Sequence, residues 1–226
     1  MTIDCAPKQH KPSQSVCKMQ FALDLGGMML KNCRSRIRTC KSEGNRAKDL
    51  ESLVADFRKY HRPNSTRETR FFRTMPSMGL AIHHVAMAVD GDGRCFDHQF
   101  HIVQPARRRA KVVLHQAESR ILACRSFHEL HSLFLELLSP IKGLGEMYIY
   151  DASLRMGAYV KLSPDFVYLH RGTRWGAKAL RIDVSHGRPY LEKKDLPEAL
   201  RSLSADNLES FLCIYWNELA AFAVAT

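Results

Sequence analysis

Four stretches of this chain repeat apolar residues at helical spacing, and that repetition points to a mainly α fold. Leu50, Leu53, Val54 and Phe57 stand at i, i+3, i+4 and i+7, the stripe that a helix turns towards a core. Ala110, Val113, Leu114, Ala117, Ile121 and Cys124 keep the same period over a longer face. Phe127, Leu130, Phe134 and Leu137 make a third stripe, and Ser126 with Glu129 stands ahead of it in capping-box register. Leu208, Phe211, Leu212, Tyr215, Leu219 and Phe222 make the fourth, behind the cap signal Ser204-Ala-Asp-Asn. Pro63-Asn-Ser-Thr is read as closing the first helix, and Pro76-Ser77 as opening another that ends at Asp90-Gly-Asp-Gly93. The only strand signal is Cys95–Val103, where Phe96, His98, Phe100 and Ile102 alternate. The expectation is therefore a helical, bundle-like domain over 47–226 with room for one short strand.

Residues 1–46 differ. They show no sustained period, and Gly26-Gly27 interrupts their one apolar stretch. They are expected to form a flexible basic arm, because nothing in them offsets the entropy of ordering. Their acidic start and weak apolar centre do not match a secretory signal, and no apolar run reaches the ~18 residues of a membrane span. The seven cysteines are scattered without CxxC spacing, which fits a reducing compartment, and a cytoplasmic location is expected.

Charge is unevenly placed. The formal net charge is +11, yet residues 126–226 sum to −1, so the excess lies in the first 125 residues. Residues 58–125 alone carry +8, a field that attracts polyanions. Arg107, Arg108, Arg109 and Lys111 crowd the first turns of the helix after Pro105. Cations there oppose the helix dipole, which points to an anionic partner.

Leu137-Leu-Ser-Pro-Ile-Lys-Gly-Leu-Gly145 separates two helical segments. Gly143 and Gly145 allow backbone conformations that a Cβ would oppose, and the amides opening the next helix would face a phosphate. This segment resembles the helix-hairpin-helix motif of DNA-repair and recombination proteins. The resemblance implies phosphate contact by Gly143 and Gly145, with Lys142 beside them, although Glu146 stands where those motifs carry a basic or small residue. Tyr150–Gly157 is loosely similar to the helix of base-excision glycosylases that carries their catalytic Asp, but its spacing differs. Asp151 and Arg155 are read instead as an i, i+4 ion pair. Over 141–215, with Val167-Tyr-Leu-His170 and Gly172-Thr-Arg-Trp-Gly176, the chain resembles a family of bacterial proteins that brings no established activity.

These features combine into a non-catalytic, sequence-nonspecific nucleic-acid-binding protein, with DNA favoured over RNA. Its contacts are expected at Arg107, Arg108, Arg109, Lys111, Lys142, Gly143 and Gly145, with no cofactor and no membrane partner. Two alternatives come from other classes. One is a metal-dependent hydrolase or nuclease using Cys95, His98 and His101, or His128 and His131, with Asp97. The other is an adaptor that docks a protein on the C-terminal helix through Tyr215 and Trp216.

Overall fold

A computed structural model describes residues 49–185 and 187–224; the arm expected over 1–46 lies outside them. The chain there is mainly α. Helices α1 (Leu50–Tyr60), α2 (Arg62–Arg73) and α3 (Met78–Met87) come first, followed by α4 (Gln104–Gln116), α5 (Glu118–Ala123), α6 (Phe127–Leu138) and α7 (Glu146–Val160). Strand β1 (Val167–Tyr168), helix α8 (Arg171–Ala179) and strand β2 (Tyr190–Leu191) lead to α9 (Ala205–Ile214) and α10 (Trp216–Val224). The two strands pair antiparallel, Val167 opposite Leu191 and Tyr168 opposite Tyr190.

The stripes read from the sequence do face inward. Leu53, Val54 and Phe57 of α1 are buried, as are Ala106, Ala110 and Leu114 of α4, and Phe127, Leu130, Phe134 and Leu138 of α6. They build two cores. One joins α3, α4, α6 and α7 with Phe72 of α2; the other joins α1, both strands, α8, α9 and α10. Phe127, Tyr150 and Tyr168 form a small aromatic contact of their own. Each fully buried large side chain, such as Phe57, Phe72, Phe134 or Phe211, contributes on the order of 1.5–3 kcal/mol.

Three local readings are corrected. Pro63 does not close α1. It sits in the first turn of α2, where proline's missing N–H costs nothing and its fixed φ suits a helix, so the basic segment Arg67–Arg73 is helical. Cys95–Val103 is not a strand: Asp97–Gln99 is a single 3₁₀ turn that buries Gln99 and leaves Phe100 75% exposed. The strands lie later, at β1 and β2. The long stripes are also broken, at Ala117 between α4 and α5 and at Tyr215 between α9 and α10.

Helices α8 and α9 pack backbone to backbone where Gly176 meets Leu212. A Cβ on Gly176 would lie 2.7 Å from the Leu212 carbonyl carbon and nearer still to its oxygen, so only glycine allows this approach. Gly79 of α3 differs, since a Cβ there would meet only His115 Cε1, at 3.6 Å. Urea denaturation should therefore separate the two. Gly176→Ala should lose at least about 1–3 kcal/mol through overpacking, whereas Gly79→Ala should gain about 0.4–1 kcal/mol by restricting the unfolded chain.

Candidate nucleic-acid interface

Among the described residues, exposed positive charge is dense from the end of α1 through α2. Residues 58–73 contain six bases, Arg58, Lys59, Arg62, Arg67, Arg70 and Arg73, and a single acid, Glu68. All six bases are exposed. Arg58, Arg62, Arg67 and Arg70, with Pro63 and Thr66, line a shallow groove that holds no carboxylate. Glu68 is turned the other way. Its carboxylate accepts from Arg155 Nε at 2.6 Å, and the Arg155 side chain is only 3% exposed. Arg58 reaches Ser202 Oγ at 2.9 Å, and among the described residues no ion pair neutralises the groove.

Beneath α2 that ion pair opens into a polar network. Arg155 also donates to Gln99 Oε1 at 2.9 Å and stacks over Phe96, 3.9 Å from the ring centroid. Gln99 Nε2 donates in turn to Asp151 Oδ2 at 2.5 Å, an oxygen that also accepts from His98 Nε2 at 2.7 Å. The expected Asp151–Arg155 ion pair is thus replaced, each group taking a partner from another element. Burial would raise the Asp151 pKa, but the His98 hydrogen bond and the charge of Arg155 outweigh it and hold the carboxyl below its usual value. Burial likewise works against protonation of His98, and Asp151 overcomes it, raising the imidazole's pKa.

The residues expected at the interface separate. Arg107 is buried, and its guanidinium donates to the Gln99 carbonyl at 2.6 Å and to the Met87 carbonyl at 3.2 Å. Met87 is the last residue of α3, so the cation meets the negative end of that helix dipole. Arg107 is therefore structural rather than phosphate-facing. Arg108 and Arg109 are exposed; Lys111 is half-buried and donates to His83 Nδ1 at 3.1 Å. The turn between α6 and α7 leaves Lys142 exposed, with Gly143 at φ +97° and Gly145 as N-cap of α7. A Cβ on Gly143 would lie 3.9 Å from that of Ala106. The hairpin thus adjoins the first turn of α4, one helical turn from Arg109. Glu146 does not stand alone, since Arg174 lies 3.4 Å from its carboxylate.

The alternative sites do not assemble as expected. Cys95, His98 and His101 do not converge: Cys95 Sγ turns to the Phe96 carbonyl, and His98 to Asp151. His128 Nδ1 is hydrogen-bonded to the Tyr168 hydroxyl, 3.1 Å away. His131 lies 3.2 Å from Ser153 Oγ, whose own proton goes to the Ile149 carbonyl, so the imidazole carries its proton on Nδ1. Tyr215 is buried with its hydroxyl on Asp56 Oδ2 at 2.7 Å, whereas Trp216 is half-buried and packs on the exposed Trp175.

One cluster has no counterpart among the motifs of the sequence. His170, the N-cap of α8, is buried beside Glu209 of α9, its Nε2 donating to the carboxylate while Nδ1 accepts from the Gly172 amide. Cys213 lies one helical turn beyond Glu209, and the ligand atoms of the three residues are within 4.8 Å of one another. Burial raises the Glu209 pKa against the pull of His170. Tyr150 is fully buried nearby, its ring centroid 6.2 Å from that of His170, and its hydroxyl has no hydrogen-bond partner. Burial lifts the Tyr150 pKa, and the charges of Glu209, Asp206 and Asp151 push the same way. The spacing Glu209-x-x-x-Cys213 is the only sequence signal, and it is too common to single out. Among the described residues, no helix is long and apolar enough to cross a membrane. Compared with protein-family models, curated proteins and solved structures, the chain matches none.

The histidines predict opposite responses to pH. Burial lowers His131 to about 4, so as pH falls below about 6.5 the unfolded chain takes up a proton that the folded one refuses. Stability should drop by up to about 3 kcal/mol between pH 6.5 and 4 from this group. His131→Asn, whose amide can still donate to Ser153, should remove that part of the slope in urea titrations. The raised His98 gives the reverse sign. Its contribution is full below about 6.5 and fades as pH rises through the higher folded value, and His98→Ala should abolish that alkaline loss.

Proposed function

We propose that this protein associates with nucleic acid through its phosphate backbone, without sequence preference and without catalysing a reaction on it. The observation that carries this reading is the carboxylate-free arginine groove of Arg58, Arg62, Arg67 and Arg70. Unneutralised arginines release condensed counterions when they meet phosphates, and that release supplies most of nonspecific affinity. The turn at Gly143, with Lys142 exposed and Arg109 nearby, offers a second phosphate contact. Double-stranded DNA is the favoured polymer, met in the cytoplasm. Arginine side chains on a helix face contact phosphate readily, and backbone contacts of this kind carry no sequence information.

Fluorescence anisotropy across a salt series tests this. Replacing Arg62, Arg67 and Arg70 together with Ala should weaken binding equally on unrelated duplexes. The slope of log affinity against log salt should flatten by roughly 0.9 for each phosphate that is no longer neutralised. Arg108→Ala with Arg109→Ala should give a smaller loss of the same kind. Gly143→Val should lower affinity while leaving most of the slope. Absence of binding by the full-length protein at low salt, or an unchanged slope in the triple variant, would overturn the proposal.

A further inference from the structure

Helices α8 and α9 bring three different donor atoms together: an imidazole nitrogen from His170, a carboxylate oxygen from Glu209 and a sulfur from Cys213, all within 4.8 Å. Glu209 and Cys213 are four apart on α9 and so share one face of that helix. His170 is fixed opposite them as the N-cap of α8, where its backbone N–H donates to Thr173 Oγ1 at 2.7 Å. The space for the thiol is provided by Gly172, whose missing Cβ would collide with Cys213 Sγ. A second observation points to the same place. The buried Tyr150 hydroxyl has no partner, and Glu209 is the first of the charges that act on it. An orphaned buried hydroxyl is destabilising unless something meets it.

We propose that His170, Glu209 and Cys213 bind a zinc-class divalent ion, with the unpartnered Tyr150 hydroxyl buried close to the site. The donor set selects the metal. Thiolate and imidazole together favour zinc over magnesium or calcium, which take oxygen ligands. Three protein ligands leave a fourth, tetrahedral position, and a water there could accept the Tyr150 proton in a hydrogen bond. Bond lengths near 2.0–2.3 Å set tetrahedral ligand atoms about 3.5 Å apart, so the hydrogen-bonded His170 Nε2 and Glu209 carboxylate part as the ion enters between them, with Cys213 Sγ already within 4.8 Å. The protons balance as follows. Cys213 loses its thiol proton to solvent, Glu209 binds as carboxylate, and the His170 ring proton moves from Nε2 to Nδ1 as Nε2 takes the metal. The 3.2 Å contact from the Gly172 amide to Nδ1 is given up in exchange. That amide lies in the first turn of α8, where no intrahelical acceptor exists for it.

Cobalt(II) provides the direct probe. The full-length protein, freed of metal with chelator and titrated with Co²⁺, should develop a thiolate-to-cobalt charge-transfer band and the intense visible bands of tetrahedral coordination, saturating at one equivalent. Zinc should displace the cobalt and abolish the bands. Cys213→Ser should remove the charge-transfer band and lower zinc affinity by more than about 100-fold, beyond the 10–100-fold that an outer-shell partner is worth. Glu209→Gln should weaken binding while keeping the band. Cys95→Ser and Cys124→Ser should behave as wild type. Zinc should also raise the melting temperature of the wild type, by mass action, and not that of Cys213→Ser. No band in the wild type, a band that survives Cys213→Ser, or equal loss in Cys124→Ser would overturn the proposal.

Discussion

The Arg155–Glu68 ion pair decides both the inside and the outside of the α2 region. A guanidinium this deeply buried needs an anion, because an unpaired charge there would cost several kcal/mol. Glu68, the single acid between residues 58 and 73, fills that need from the inward side of α2. The same step strips the outward side of its only negative charge. Six exposed bases then remain on 58–73 with no acid of that segment beside them, and four of them, Arg58, Arg62, Arg67 and Arg70, line the groove on which the proposed function rests. The carboxylate that the buried guanidinium requires is thus the one that the outward face lacks.

Around that pair, buried polar groups are satisfied in a chain that crosses element boundaries. Gln99 links Arg155 to Asp151 through its side chain and accepts from Arg107 through its carbonyl. One 3₁₀ turn thus ties α2, α4 and α7 together. Partly satisfied networks are costlier than apolar cores, so truncating the Gln99 side chain would strip a partner from both Arg155 and Asp151, while its backbone carbonyl would still accept from Arg107.

Much of the fold is legible in the sequence. The stripes at Leu50–Phe57 and Phe127–Leu137 each fall on one helix, and those at Ala110–Cys124 and Leu208–Leu219 each run over two consecutive helices, since helical period follows directly from which face is buried. The turn at Gly143 is also legible, because glycine at that spacing has few other uses. What escapes are choices made by partners distant in sequence. Arg107 looks identical to Arg108 and Arg109 until α3 ends beside it with an unsatisfied carbonyl. Phe96, His98, Phe100 and Ile102 alternate like a strand, yet no neighbouring strand is offered, and Gln99 is drawn inward instead. The cluster of His170, Glu209 and Cys213 depends on the close approach of α8 and α9, which only Gly172 and Gly176 permit. No local pattern encodes that approach.

The proposed binding places nucleic acid against the outward face of α2. Amide hydrogen exchange on the full-length protein, with and without a saturating short duplex at low salt, measures this directly. Exchange should slow across 58–73 and, to a lesser degree, 141–147, while α9 keeps its free-state rates. Unchanged exchange over 58–73 in a protein shown to be bound would contradict the account.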